Sequence, residues 1–284
     1  GLADVFEDIS QGCVSRRIDY DDSKPWMMEW YFEDKPEAAP LISRLNDNAA
    51  AGALLAALKQ DDFDIAEIIE ENWLEKVYQE HKPFTVGPFF IYGSHYTEDV
   101  PAGQIGLQID AATAFGSGDH GTTKGCLIAM LDLKSKGHCP WNVLDMGTGS
   151  GILAIAAWKL WQTPITAIDN DTESVRVAKL YQEYNGVKDG IGAMQCECGD
   201  GFTAALCQSR APYDLIVANI LAAPLKTMAP DLKKVSDENG YVILSGMLNA
   251  QADEVLRVYQ RLGFSLKDRI DIDKWSTLVL HNAS

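Results

Sequence analysis

A glycine-rich run between an apolar segment and a helical one constrains the fold of this chain more than any other feature. The run is V-L-D-M-G-T-G-S-G-I-L-A, over residues 143–154. Glycines at the end of a buried strand allow a tight turn into a helix and let a ligand lie against bare backbone. Asp169 ends the next apolar segment, at the spacing where open α/β sheets place an acid on ribose hydroxyls. The pattern predicts a nucleotide or nucleoside site at a strand-to-helix turn.

The segments around this run alternate between strand and helix. Strands are predicted over residues 142–147, 165–169, 193–198, 213–219 and 241–245, and helices over 152–161, 173–184, 224–235 and 250–262. Short apolar strands alternating with helices indicate a mostly parallel sheet covered on both faces. Two last strands, 264–270 and 276–281, have no helix between them. We predict an α/β fold with a doubly wound, Rossmann-like sheet and a C-terminal antiparallel hairpin at one edge.

Residues 1–70 have a different pattern from the remainder of the chain. It predicts a helix over residues 2–9, strands over 13–20 and 26–32, a helix over 41–59 and a strand over 63–69. The order α-β-β-α-β is that of a ferredoxin-like split unit without its first strand. We predict a small α+β domain over residues 1–70, a connector over 71–100 and the α/β domain over 101–284.

Two classes of ligand compete for the glycine run. A dinucleotide fingerprint has the form G-x-G-x-x-G, whereas here Gly147, Gly149 and Gly151 alternate and Asp145 precedes them. The form D-x-G-x-G-x-G resembles the cofactor loop of class I methyltransferases. Their cofactor, S-adenosylmethionine, has no pyrophosphate but carries an ammonium and a sulfonium, which suit a carboxylate. We favour S-adenosylmethionine over a nicotinamide cofactor, and place Thr148 in the same site.

Polar residues at three other positions complete the candidate site. Asp200 follows the third predicted strand, where it either reaches an adenine amine or serves a turn. Asn219 falls just past the fourth strand, facing the crevice where open α/β sheets bind ligands. Its side-chain carbonyl can accept hydrogens from an amine, and helix capping is the alternative. Upstream, the run A-F-G-S-G-D-H-G-T-T over residues 114–123 ends in Thr122 and Thr123, which can cap a following helix.

Three segments together resemble the bacterial methyltransferases of large-subunit ribosomal protein L11. That family carries A-F-G-[ST]-G-x-H-x-T-T, D-x-G-[CT]-G-S-G-I-L-A-I-A-A and N-I-L-A-x-P-L, and this chain matches them over residues 114–123, 145–157 and 219–225. Similarity extends over roughly residues 70–265 and includes L-S-G-M-L at 244–248. The resemblance implies a class I fold, S-adenosylmethionine as cofactor, and methylation of lysine side-chain amines and an N-terminal amine of a basic ribosomal protein. It makes residues 1–70 the substrate-recognition domain.

The resemblance and the residue chemistry together define the expected site. Asn219 is expected to orient the amine or the cofactor, and Phe115 to wall the cleft and stabilise cations through its ring face. No obligatory general base is expected, because burial beside a sulfonium lowers a lysine pKa from about 10.4. No metal is expected either. The expected cofactor-binding residues are Thr122, Asp145, Gly147, Thr148, Gly149, Gly151, Asp169, Asp200 and Asn219.

The charge of the chain bears on its partners. The net charge is −17, and residues 1–92 carry 19 acidic against 8 basic side chains. Such a surface attracts a basic ribosomal protein and disfavours a direct grip on nucleic acid, although solubility alone is a simpler explanation. We predict no membrane span and a cytoplasmic location, because long apolar runs, a basic leader and a cysteine framework are all missing from the sequence.

Two other functions stay open. One is a methyltransferase of another protein, of RNA or of a small molecule. Enzymes that act on release-factor glutamine or nucleobases usually have N-P-P-[YF] or D-P-P-Y after strand four, where this chain has I-L-A at residues 220–222. The other is a binding module that uses the cofactor structurally. Cofactor titration followed by a turnover assay separates these possibilities.

Overall fold

The computed structural model describes residues 5–17, 26–47, 64–66, 82–110, 121–190 and 192–283. The chain divides into two compact units, Gly1–Trp73 and Leu74–Ser284. Most of the predicted helix over 41–59 and the loop that holds Phe115 lie outside the described residues. Across the described ranges, no helix combines the length and the apolar character needed to cross a bilayer.

The first unit contains a two-stranded hairpin and a helix around a small apolar core. Its elements are β1 (Gly12–Arg17), β2 (Trp26–Tyr31) and α1 (Ala38–Asp47), with β1 and β2 antiparallel. Phe6, Leu41 and Leu45 are buried together, and the ring of Phe6 meets that of Trp30 edge-on at 5.2 Å between centroids. Strands β1 and β2 overlap the predicted strands, whereas α1 begins three residues before the predicted start of the helix.

Two predictions for the first unit are wrong over the residues that the structure describes. Residues 5–6 are 3-10 and residues 7–9 form a turn, so this segment is not an α-helix. The carbonyl of Phe6 accepts the N–H groups of Ile9 and Ser10, after which the chain enters β1. Residues 64–66, within the predicted last strand, have no regular structure. The ferredoxin-like layout therefore stays a prediction.

The second unit contains one large sheet, one small sheet and six α-helices in its described part. The small sheet is β3 (Phe84–Val86), β4 (Phe89–Tyr92) and β5 (Ile105–Gln108). The large sheet is β6 (Val143–Met146), β7 (Ile165–Asp169), β8 (Met194–Cys198), β9 (Tyr213–Asn219), β10 (Ser236–Leu248), β11 (Phe264–Ile272) and β12 (Trp275–Asn282). The helices are α2 (Gly121–Ser135), α3 (Ile152–Trp161), α4 (Thr172–Tyr184), α5 (Ala205–Arg210), α6 (Ala222–Val235) and α7 (Asn249–Arg261).

The large sheet has the strand order β11-β12-β10-β9-β6-β7-β8. Strands β6 to β10 are mutually parallel where they pair, and β12 runs antiparallel between β10 and β11. This confirms the predicted α/β fold with an antiparallel hairpin at one edge. The bounds of β7, β9 and α3 coincide with the predicted ones, whereas β10 begins five residues earlier than expected.

Alternating side chains of the central strands build a core on each face of the sheet. Val143, Leu215 and Ile243 belong to one buried cluster, while Leu144 and Ile216 belong to the other. Successive residues of a strand point to opposite faces, so a strand that is apolar throughout must be covered on both. The helices provide that cover, as the apolar runs predicted.

The chain order reverses between β6 and β9, which are neighbours in the sheet. From β6 the next strand lies on one side, and from β9 the next strand lies on the other. Ligands of open α/β sheets bind in the crevice that such a reversal opens at the carboxyl ends of the strands. Gly147 follows β6 and Asn219 ends β9, so the fold brings both to this crevice.

Candidate functional site

The glycine loop turns sharply from β6 into α3. Gly147, Gly149 and Gly151 have φ angles of 73°, 53° and 79°, in the left-handed region that favours glycine. The N–H groups of Gly147 and Thr148 both donate to the carbonyl of Ile168, at 2.8 and 3.0 Å. These bonds fold the loop back over the end of β7. The result is a loop at the opening of the crevice in which every second residue, Gly147, Gly149 and Gly151, has no side chain.

Gly147 and Gly246 leave room for one residue, Ile220, between them. A Cβ on Gly147 would overlap the Cγ2 methyl of Ile220, and a Cβ on Gly246 would overlap the backbone of Ile220. Gly246 also has a φ of 89°. Ile220, the residue after Asn219, is therefore wedged between the glycine loop and the end of β10.

Asp145 is the most deeply buried acid of the site, with 1% of its surface exposed. Its Oδ2 accepts hydrogen bonds from the Thr148 hydroxyl at 2.7 Å and from the Ala154 N–H at 3.1 Å. Its Oδ1 is buried and has no partner among the described residues. Burial raises the pKa of this carboxyl to about 7, against the two hydrogen bonds that lower it. A buried, unpaired oxygen of this kind favours a cationic ligand.

Asp169 stands at the end of β7, and backbone groups hold its carboxylate. Oδ2 accepts the N–H of Gly149 at 2.9 Å, and Oδ1 accepts the N–H of Asp171 at 3.0 Å. The side chain of Asp171 caps α4 by accepting from the N–H groups of the first turn. Each carboxylate oxygen can accept more than one hydrogen bond, so Asp169 retains capacity for ligand hydroxyls.

Asp200 lies beside Asp169, on the loop after β8. The N–H of Gly199 donates to the Asp169 carbonyl at 2.9 Å, which joins the two loops. Asp200 is exposed, and its side chain makes no cap for the 3-10 helix Gly201–Thr203. Its backbone carbonyl instead accepts the Thr203 hydroxyl at 2.6 Å. The turn is thus built by backbone, and the carboxylate stays available at the edge of the crevice.

Asn219 faces the start of α2 across the crevice. Its Nδ2 lies 3.4 Å from the Oγ1 of Thr123 and donates to it. Within the described part of the chain, Asn219 Oδ1 makes no hydrogen bond. Thr122 and Thr123 are 2% and 0% exposed. The prediction that they cap α2 is wrong, because the helix already includes Gly121 and both side chains are buried.

Ser245 is a residue of this region whose role the sequence reasoning missed. It pairs in register with Asn219 in the sheet and is completely buried. Its hydroxyl donates to the carbonyl of Thr122 at 3.1 Å. The only signal in the sequence was the L-S-G-M-L similarity at residues 244–248, which gave no role to the serine.

The fold gathers most of the predicted site residues at one edge of the sheet. Asp145 lies in β6, the glycine loop follows that strand, Asp169 ends β7 and Asp200 follows β8. Asn219 ends β9, on the other side of β6, and Thr122 lies in α2. Phe115 lies outside the described residues. Three carboxylates around bare backbone suit a cationic nucleoside. Among the described residues, no group of three or more His, Cys, Asp or Glu side chains could hold a metal ion.

Comparison with known proteins gives one consistent family. The sequence pattern of the family described as "Ribosomal protein L11 methyltransferase" matches residues 7–283. The protein of that name from Rhodopseudomonas palustris is 36% identical over 260 residues, which cover 90% of this chain and 84% of the relative. The one from Brucella suis is 36% identical over 279 residues, which cover 98% and 92%. The crystal structure of the ribosomal protein L11 methylase of Lactobacillus delbrueckii subsp. bulgaricus aligns with a TM-score of 0.62 and 27% identity, over 70% of this chain and 97% of that one.

Proposed function

The chain belongs to the ribosomal protein L11 methyltransferase family, and from that membership we propose that it methylates amines of ribosomal protein L11. It is an S-adenosylmethionine-dependent protein methyltransferase. The observation that carries the proposal is the family match over residues 7–283. We further propose that the acceptors are lysine side-chain amines and the N-terminal amine of the substrate.

The residues present fit the cofactor. Asp145 offers an unpaired buried oxygen to the ammonium, and Gly147, Gly149 and Gly151 offer backbone that carries no side chain. Asp169 suits the two ribose hydroxyls, and Asp200 suits the adenine amine. We propose that these residues hold the cofactor together with Thr148 and, across the crevice, Thr122 and Asn219. When bound, S-adenosylmethionine supplies a methyl group that its sulfonium activates.

The protein's main contributions to transfer are position and exclusion of water. The attacking amine must be neutral, and removal from water beside a positive charge lowers its pKa. The free Oδ1 of Asn219 can accept an N–H of that amine, and this hydrogen bond orients the lone pair of the amine nitrogen. We propose Phe115 as a wall of the cleft, because its ring face can stabilise cationic groups. No general base is required in this scheme.

The distribution of charge supports a basic protein as the substrate. Residues 1–92 carry 19 acidic and 8 basic side chains, and opposite charges speed and orient protein association. We propose that residues 1–70 recognise the substrate, that 71–100 connect, and that 101–284 bind the cofactor and catalyse transfer. The proposal includes a cytoplasmic location and no direct grip on nucleic acid.

The decisive experiment gives the purified chain labelled S-adenosylmethionine with purified L11, and separately with a ribosomal extract. Label in L11, mapped by mass spectrometry to amines, supports the proposal. Label in another protein or in RNA identifies a different methyltransferase. Cofactor binding without transfer to any extract component supports a binding module instead.

A further inference from the structure

One buried residue holds both sides of the contact between Thr123 and Asn219. The backbone carbonyl of Ser245 accepts the N–H of Ile220, the residue after Asn219, at 3.1 Å. The hydroxyl of Ser245 donates to the carbonyl of Thr122, the residue before Thr123, at 3.1 Å. Ser245 thus reaches β9 through its backbone and α2 through its side chain.

The direction of the hydroxyl bonds follows from counting hydrogens. Ser245 Oγ also lies 2.8 Å from Oγ1 of Thr277, and each hydroxyl has one hydrogen to give. If Ser245 donates to Thr122, Thr277 must donate to Ser245. The Thr122 carbonyl, at 3.1 Å, is a closer acceptor for the Ser245 hydroxyl than the Ser276 carbonyl, at 3.5 Å. The relay from Thr277 through Ser245 to Thr122 therefore gives both buried hydroxyls a partner.

The start of α2 depends on this relay, because the helix lies very close to β12. Gly125 has no side chain at the point where α2 passes Thr277, and a Cβ there would overlap the threonine hydroxyl. The hydroxyls of Ser245 and Thr277 therefore occupy the space between helix and sheet. Removing the Ser245 hydroxyl removes the bond that ties the first turn of α2 to β10.

We infer that Ser245 is a positioning residue of the transfer site, whose hydroxyl sets the place of α2 opposite Asn219. This inference rests on the proposed function. The 3.4 Å contact between Asn219 Nδ2 and Thr123 Oγ1 is near the limit of a hydrogen bond, so a small displacement of α2 breaks it. Misplacement of a site by about 1 Å can cost about 100-fold in rate.

The test compares Ser245→Ala with Ser276→Ala, a matched loss of a buried hydroxyl. Ser276 is also 0% exposed, but the partners of its hydroxyl, Asn249, Arg269 and Asp271, are on α7 and β11 and not on α2. We expect kcat for methylation of L11 to fall about tenfold or more in Ser245→Ala, with smaller changes in KM for L11. Ser276→Ala should keep kcat within about twofold of the unaltered chain.

The double variant Ser245→Ala/Thr277→Val separates position from stability. It removes both hydroxyls of the pair, so neither is left buried without the other, and its melting temperature should recover towards that of the unaltered chain. The anchor on Thr122 is still missing, so kcat should stay low. Recovery of kcat together with the melting temperature, or unchanged kcat in Ser245→Ala, would overturn the inference while leaving the proposed function intact. An unaltered chain that does not methylate L11 refutes the proposed function and the inference together.

Discussion

The backbone N–H of Gly149 donates a 2.9 Å hydrogen bond to Oδ2 of Asp169, 20 residues further along the chain. The loop that would cradle the cofactor thereby orients the acid that would hold its sugar. Because the Asp171 N–H fixes the other carboxylate oxygen, the side chain has little freedom before a ligand arrives. Such preorganisation reduces the entropy lost on binding.

Replacing Asp169 should weaken the binding of the cofactor without unfolding the protein. We expect Asp169→Ala to reduce affinity for S-adenosylmethionine by about 10- to 100-fold, since hydrogen bonds to charged groups contribute about 1.5–3 kcal/mol. Isothermal titration measures this. Asp171→Ala is the control, because it removes the cap of α4 and about 1 kcal/mol of stability but keeps the backbone N–H that holds Asp169. Equal affinities for both variants would contradict the assignment.

A side chain at position 147 should overlap Ile220 and should also strain the backbone. Gly147→Ala adds a methyl that overlaps the Ile220 side chain, at a φ of 73° that costs an L-residue about 1–2 kcal/mol. We expect a lower melting temperature and weak cofactor binding. The double variant Gly147→Ala/Ile220→Ala removes the overlap but not the strain, so only part of the loss should return. Wild-type affinity in Gly147→Ala would exclude a close approach of ligand to this loop.

Cofactor affinity should depend on pH through Asp145. Its pKa is raised to about 7 by burial, so in the free protein it is mostly protonated below that pH. A cationic ligand favours the ionised form, and binding must then release a proton. We expect affinity for S-adenosylmethionine to fall by up to about tenfold per pH unit below pH 7. Isothermal titrations in buffers of different ionisation enthalpy measure how many protons are released when the cofactor binds. Binding to Asp145→Asn should release none.

The same group affects stability with the opposite sign. A carboxyl whose pKa is higher in the folded state than in the unfolded one favours folding at low pH. Its contribution is complete below about pH 3.8 and is lost as the pH rises towards about 7. In the cofactor-free protein, Asp145→Asn should therefore flatten the decline of melting temperature across this range. An unchanged decline would show that other groups dominate it.

Asn219 should matter more for turnover than for binding. We expect Asn219→Ala to abolish measurable transfer while the chain stays folded, because the amine loses the acceptor that orients its lone pair. Single-turnover kinetics with L11 check the chemical step, and titration checks the cofactor. Asn219→Ala with normal turnover would remove this residue from the site.

The first compact unit should not be required for cofactor binding but should be required for methylation of L11. Deleting residues 1–73 is expected to leave affinity for S-adenosylmethionine within about twofold and to abolish methylation of the intact protein substrate. Titration and the labelled-transfer assay measure the two effects. Normal methylation of L11 by the truncated chain would refute the recognition role.

Much of the fold could be predicted because the strands of the large sheet are apolar and lie between clear turn signals. The bounds of β7 and β9 were predicted correctly for this reason. Strand β5 of the small sheet was not predicted, because it is four residues long and contains Gly106. A short segment of this kind carries too little periodicity to distinguish a strand from a loop.

The candidate site could be predicted where it depends on local sequence, as in the glycine loop. Its supporting contacts could not, because they join distant parts of the chain. Ser245 and Thr122 are 123 residues apart, and no spacing rule connects them. The capping prediction for Thr122 and Thr123 was wrong for a related reason, since a buried threonine inside a helix and a capping one look alike until the packing around them is known.

The wedge formed by Ile220 limits how this enzyme can be redesigned. The side chain of Ile220 contacts the loop after β6, and its backbone lies against Gly246 of β10, so altering this residue to admit a new acceptor also disturbs the nucleoside side. Leu221 can be varied independently, because it follows Ile220 directly and is 67% exposed. Libraries that vary position 221 and hold 220 constant should change acceptor preference at the smallest loss of cofactor affinity.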